Sequence, residues 1–141
     1  MSDIVLDNCV IAKWYLHEPD STRAERLLTD TRARGEQATA LDLAVVEVAQ
    51  VLWKAHYRGQ IATHGLTERP GFLLSAPLYL EKAVPLLRQA TNLAVRYRRA
   101  VYDMLFVALV QQLDLPGITS DEPLYHAVAG DVPNVKFLRT L

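Results

Sequence analysis

The chain has 141 residues, half of them hydrophobic, with 15 Lys and Arg against 16 Asp and Glu and a formal net charge of −1. That length predicts a single domain over residues 1–141, able to bury about two-thirds of the surface its unfolded chain would expose. The near-neutral balance excludes a global pull toward polyanions, a lone Cys9 excludes an internal disulfide framework and fits a reducing compartment, and no apolar run is long enough to span a bilayer.

The opening residues carry no basic region before the apolar run Ile4-Val5-Leu6. No signal peptide is therefore expected, and a soluble cytoplasmic protein is. Ile4-Val5-Leu6 suits a central strand buried on both faces, and Asp7 follows at its carboxyl end. Asn8 and Cys9 lead into a helix through Val10, Ile11, Trp14 and Tyr15, which Glu18-Pro19-Asp20 breaks. Asp20 or Ser21 can cap the next helix, with Ala24, Leu27 and Leu28 inward and Gly35 beyond its end. Residues 38–41 are a weak strand candidate. Asp42 can cap a helix from Leu43 to about Tyr57, whose apolar stripe includes Ala44, Val48, Val51, Leu52 and Ala55. Glu47 lies three after Ala44 and four before Val51, with that stripe or at its margin, and within reach of Lys54 or Arg58.

Gly65, Pro70 and Gly71 punctuate residues 59–76, leaving one short helix around Phe72-Leu73-Leu74. Leu78-Tyr79-Leu80 reads as a strand. Residues 83–96 form an amphipathic helix with Leu86, Leu87, Ala90, Leu93 and Ala94 as its core face and Pro85 in its first turn. From Lys82 to Tyr102 there is no acid, while Lys82, Arg88, Arg96, Arg98 and Arg99 fall inside. Such a run is either a solvated helix face or a rim that contacts phosphate.

The run then enters the stretch that organises the rest, residues 101–124. Tyr102, Leu105, Phe106, Leu109 and Val110 recur at helical spacing and line one face. Leu113, Asp114 and Pro116 end that helix. Gly117-Ile118-Thr119 is a short buried strand, Asp121 follows it, and Pro123 opens another helix over residues 124–129. Residues 135–138 are a last strand. Strands alternating with helices predict a three-layer α/β/α sandwich around a short central parallel sheet.

Four acids share a logic within that fold. Asp7 and Asp121 leave strands at their carboxyl ends, where open α/β sheets place their ligand crevices. Glu47 and Asp103 sit at apolar helix margins, and an unpaired carboxylate there costs several kcal/mol. Each acid also has a purely structural reading: a dipole partner for Asp103, an N-cap for Asp121, an ion pair for Glu47. As a group, clustered carboxylates call for a hard divalent cation, Mg²⁺ or Mn²⁺. With basic neighbours, that chemistry points to phosphodiester cleavage. No Gly-rich phosphate loop or paired-Cys zinc spacing competes, and His17, His56, His64 and His126 are scattered.

The motifs around these acids resemble a PIN-domain ribonuclease of the VapC toxin type. Ile-Val-Leu-Asp-Asn-Cys-Val-Ile-Ala-Lys-Trp-Tyr is similar to the family's first strand and metal-binding Asp, here Asp7. Val-Val-Glu-Val-Ala-Gln-Val-Leu-Trp-Lys is similar to the helix that carries the family's Glu, here Glu47. Val-Tyr-Asp-Met-Leu-Phe-Val-Ala-Leu gives Asp103, and Ile-Thr-Ser-Asp-Glu-Pro-Leu gives Asp121. The resemblance implies a PIN-like fold and a metal-dependent ribonuclease that uses Mg²⁺ or Mn²⁺ on these four acids. It also implies a homodimer, for which the apolar helices of residues 59–96 offer surface, and a cognate antitoxin. Lys13, Arg96, Arg98 and Arg99 are candidates for RNA backbone contacts. Two departures stand out. Cys9 replaces the family's Ser or Thr two residues after the first Asp, and a thiol is a poorer donor. Tyr125 and His126 stand where some members carry a further acid, which counts against a second metal. Thr119 resembles a family Thr near the metal. Two other readings are an inactive PIN-like scaffold that binds RNA or a partner, which Cys9 keeps open, and a phosphoacceptor receiver domain. The receiver reading is disfavoured by Asn8 after Asp7 and by the lack of a Lys after Ile118-Thr119.

Overall fold

The computed structural model describes residues 3–141; Met1 and Ser2, part of the stretch read above for a leader, lie outside it. Among the described residues there are five short strands: β1 Ile4–Leu6, β2 Ala38–Leu41, β3 Leu78–Glu81, β4 Gly117–Thr119 and β5 Val135–Phe137. They form one sheet in the order β3-β2-β1-β4-β5, with every neighbouring pair parallel. The most uniformly apolar strand takes the centre. Ile4, Val5 and Leu6 are all buried, as two covered faces require. β3 is a strand as expected but lies at the edge, where Tyr79 and Leu80 remain exposed.

Seven helices connect the strands: α1 Asn8–Ala12, α2 Ser21–Ala33, α3 Asp42–Tyr57, α4 Thr63–Leu74, α5 Leu87–Tyr97, α6 Val101–Leu113 and α7 Glu122–Val128. α3 packs against α1 and α4, while α5 packs on α6. Crossovers between parallel strands are almost always right-handed, and with the strand order reversing at β1 that rule puts the first set on one face of the sheet and the second on the other, which gives the three layers. None of these helices is long and apolar enough to cross a membrane.

α6 is where the sequence pattern gave too little. One apolar face was expected, yet residues 104–110 are all buried. The sheet lies under this helix and α5 covers its back, so every side must be apolar. Only Tyr102, first of the expected stripe, escapes to solvent. The helix also presses unusually close to β4. A Cβ at Gly117 would sit 2.2 Å from Val110 Cγ2 and 3.1 Å from Phe106 Cζ, so only glycine fits.

Other boundaries differ for local reasons. α4 is a full helix rather than a short one around residues 72–74. It runs through Pro70, losing one hydrogen bond while Leu66 and Leu73 pack against the core. α1 ends at Ala12, and Trp14 and Tyr15 continue in tighter turns bonded to Ile11 and Ala12. The helix expected from residue 83 begins as a 3-10 turn, Val84–Leu86, with Pro85 inside it. Asp20 does not cap α2 through its side chain. It adopts a left-handed φ of 69° and pairs instead with Arg139 at 3.0 Å and Arg23 at 3.6 Å.

The chain builds outward from β1 through β2 to β3, then returns to place β4 on the other side of β1. The strand order therefore reverses between β1 and β4. A crevice opens there beyond the strands' carboxyl ends, and it is where the acids gather.

Candidate active site

Asp7 leaves β1 directly into the crevice. Its carboxylate caps α1, accepting from Asn8 N at 2.8 Å, and accepts from Thr119 Oγ1 at 2.8 Å. Cys9 Sγ donates to the same oxygen at 3.5 Å. Thr119, fully buried at the end of β4, in turn accepts from Asp121 N at 3.1 Å, and Cys9 Sγ accepts from Ser120 N at 3.2 Å. Two adjacent strand ends are thus laced together through Asp7. Burial nevertheless dominates. It pushes the Asp7 carboxyl up to about 6, with Glu47 adding to the rise and the Thr119, Asn8 and Cys9 donors opposing it. The Cys9 thiol is pushed up to about 12 by burial and by Asp7, so it is a neutral donor at physiological pH.

The other three acids continue the chain of like charges. Glu47 comes from α3, half-buried. Burial raises its pKa, the Asn8 side chain opposes the rise, and Asp103 adds to it. Its partner is Asn8 rather than the Lys54 or Arg58 that helix spacing suggested. Asp103 lies in the first turn of α6. Burial raises it as well, Arg99 opposes, and Asp121 adds. Asp121 caps α7, accepting from Leu124 N at 3.0 Å. The capping reading of Asp121 therefore holds alongside its place in the crevice. Asp7 and Glu47 also share a cavity of ≈ 10 Å³ walled by Tyr102 and Phe106, about the room one water needs.

Three carboxyls raised by burial, each beside another acid, form an array whose charge a hard divalent cation relieves. The donor set, all oxygen, suits Mg²⁺ or Mn²⁺. Among the described residues no three His, Cys, Asp or Glu side chains stand in a ligating arrangement. That is compatible with a cation that keeps several waters. The cation already present between two of the acids is a guanidinium. Arg99 Nη2 lies 3.2 Å from Asp103 Oδ2 and 3.6 Å from Asp121 Oδ2.

The structure thus brings Asp7, Glu47, Asp103 and Asp121 to one crevice. It separates the four candidate RNA contacts. Lys13 pairs with Glu18 at 3.0 Å, and Arg96 pairs with Asp131 at 3.4 Å while lying over the Tyr97 ring. Arg98 is exposed, and Arg99 points into the acids. Sequence reasoning assigned nothing to Asn8, whose only signal is its place beside Asp7 at a helix start. Beside the acids, and sharing Tyr102 with their cavity, runs an apolar groove of ≈ 600 Å³ lined by Leu43, Val46, Val84, Leu87 and Leu105 among others.

A small parallel α/β domain with an acidic crevice at its topological switch point is the class that fold and site define. The PIN domain family profile matches residues 4–129, and the chain belongs to that family. That membership confirms the family read from the motifs and removes the receiver-domain reading. The chain is 32% identical over 125 residues to Ribonuclease VapC3 of Pyrobaculum aerophilum, an overlap covering 86% of this chain and 91% of that one. The crystal structure of PAE2754, also from Pyrobaculum aerophilum, matches with a TM-score of 0.74 over 99% of this chain and 85% of that chain, at 16% identity. That likeness speaks to the fold.

Proposed function

We propose that this protein is a metal-dependent endoribonuclease, the toxin component of a toxin–antitoxin pair, acting in the cytoplasm as a single PIN-like domain. The observation that carries the reading is the convergence of four acids on one crevice, Glu47 acting on Asp7, Asp103 on Glu47 and Asp121 on Asp103, with burial the main cause of the rise in the first three. Membership of the PIN family and the likeness to a protein named a VapC ribonuclease support it. Asp7, Glu47, Asp103 and Asp121 are the residues that would hold Mg²⁺ or Mn²⁺, directly or through water. When bound, such a cation supplies Lewis acidity toward a phosphate oxygen and makes a nearby water easier to deprotonate.

The chain's own groups do the rest. Thr119, Asn8 and Cys9 fix the Asp7 carboxylate, so that it needs no reorganisation when charge develops. Glu47, half-buried and raised, is suited to accept a proton from an attacking water. Arg98, exposed and adjoining Arg99 in the chain, is the candidate cation most available to an RNA phosphate; Lys13 and Arg96 would first have to leave their acids. The partners in this reading are an RNA substrate, a cognate antitoxin and a second copy of the chain. Exposed Phe72, Leu74, Val84, Leu87 and Val95 on α4, α5 and their connection are the apolar surface that supports dimerisation.

The test is incubation of antitoxin-free protein with total cellular RNA, with Mg²⁺ or Mn²⁺ and then with a chelator, beside a folded Asp7→Asn variant. Discrete fragments that require metal and vanish in the variant are expected. A well-folded protein that yields none under either metal would instead be the inactive scaffold.

A further inference from the structure

Three arginines close the basic run, and the fold treats them differently. Arg98 ends α5 in the left-handed region, at φ 54°, a conformation that disfavours any side chain beyond glycine or Asn/Asp. That turn reverses the chain, so that Arg99 N donates to Ala94 O at 3.2 Å and the Arg99 side chain enters the crevice. Arg96 is held outside by Asp131, and Arg98 is exposed. Arg99 alone meets the acids. One arm of its guanidinium spans Asp103 and Asp121, while its Nε is buried without a hydrogen-bond partner. A guanidinium normally uses its donors as a fork. Here one donor is desolvated and left bare, which costs free energy, so the position is set by the two carboxylates rather than by full satisfaction of the arginine.

Resting on the reading of the four acids as a cation site, we propose that Arg99 is a resident counter-ion of Asp103 and Asp121, which a divalent cation must displace before the site is competent. The guanidinium and a divalent ion compete for the same oxygens and repel each other across them. In the metal-free protein Arg99 offsets the repulsion between Asp103 and Asp121, and in doing so it weakens cation binding. It is a positioning residue with an inhibitory effect on the resting site, rather than one more contact for the RNA backbone.

Two measurements on the full-length, RNA-free protein test this. The first is calorimetric titration with Mn²⁺ of the wild type, Arg99→Met and Arg88→Gln, the latter at an exposed position of α5. Both variants lose one positive charge, but only the first loses it between the acids. Arg99→Met is expected to bind Mn²⁺ about fivefold more tightly, the effect of one partly screened charge pair, with Arg88→Gln close to wild type. Unchanged or weaker binding by Arg99→Met, or an equal gain in Arg88→Gln, would overturn the proposal. The second is a urea-denaturation cycle in chelator with Arg99→Met, Asp103→Asn and the double variant. Non-additive midpoints are expected, and strict additivity would remove the counter-ion role whatever the metal does. If the cycle shows coupling but the wild type binds no Mn²⁺, the cation reading of the four acids fails, and displacement fails with it. Arg99→Gln takes the place of Arg99→Met in both measurements if the methionine variant does not fold.

Discussion

Asp7 and Asp103 carry the same functional group into the same crevice, and the fold holds them in opposite ways. Asp7 emerges from the central strand and is gripped by neutral donors from two strand ends: Asn8 N, Thr119 Oγ1 and Cys9 Sγ. Asp103 lies at the mouth of a helix, partly exposed, and its visible partner is a charged side chain, Arg99. Neutral donors fix geometry without cancelling charge, so burial still drives Asp7 up to about 6. A charged partner offsets part of the charge but occupies the carboxylate oxygens, and burial still raises Asp103 as it does Asp7. The inner acid is thus held by neutral groups, while the outer pair is held by a cation that any metal ion must compete with. A site built this way keeps one immovable anchor and one exchangeable edge.

The largest expected effect comes from breaking the anchor. The folded-state pKa of Asp7 is raised above its ordinary value of 3.8, so between those two values the folded protein holds a proton that the unfolded chain has lost. Metal-free stability should therefore fall as pH rises from about 4 through 6 and level off above. The loss is on the order of 3 kcal/mol at most, at about 1.4 kcal/mol per pKa unit. Glu47 and Asp103, raised in the same direction, steepen the trend. Asp7→Asn should abolish cleavage, by about a hundredfold or more, yet stabilise the metal-free protein above pH 7 by roughly 1–3 kcal/mol. Denaturation in chelator at pH 5 and pH 8, for both proteins, checks the sign. A wild type more stable at pH 8 than at pH 5 would refute the account of Asp7.

Next comes the frame that carries both acids. Gly117→Ala would force a methyl group into Val110 and Phe106, levering α6, and Asp103 with it, off β4. Overpacking of this kind costs about 1–3 kcal/mol, and a urea midpoint that did not fall would show that the helix yields freely. Thr119→Val, nearly the same shape, removes the hydroxyl that bonds Asp7 and accepts from Asp121 N. It should cost about 1–2 kcal/mol and reduce cleavage, with Thr119→Ser recovering most of both. An active Thr119→Val protein would mean that the link between the strand ends serves stability alone.

The same contrast explains what was legible in the sequence. Asp7 and Asp121 follow short apolar strands, and the alternation of strands and helices fixes a parallel sheet, so their meeting at a switch point follows from topology. Glu47 and Asp103 could be read as acids at apolar margins. What stood between them could not. Arg99 looked like one basic residue in a run, because its inward turn depends on Arg98 adopting a left-handed backbone that sequence favours in Gly or Asn. Asn8 had no pattern to mark it. The full burial of α6 was hidden as well, because periodicity reports contrast between faces, and a helix packed on all sides has none. For α4 the local signal, Pro70, points to a short helix, whereas the packing of Leu66 and Leu73 that carries the helix through it is tertiary.

The smallest expected effect is at Cys9, and it sharpens the picture of Asp7 as held by neutral donors. With its thiol pushed up to about 12, Cys9 carries about 10⁴-fold less thiolate than thiol at pH 8. In the native protein it should resist alkylation by iodoacetamide at that pH and react only on unfolding. Rapid native labelling, followed by intact mass, would place the thiol in a more open and more ionised setting than the one described. Cys9→Ser puts a stronger donor in the same slot, within reach of Asp7 Oδ2. It should lower the pKa of Asp7 slightly, flatten the fall of metal-free stability with pH, and change cleavage by no more than about threefold. Cleavage that rises far beyond that would mean that the thiol, and not burial, is what limits the anchor.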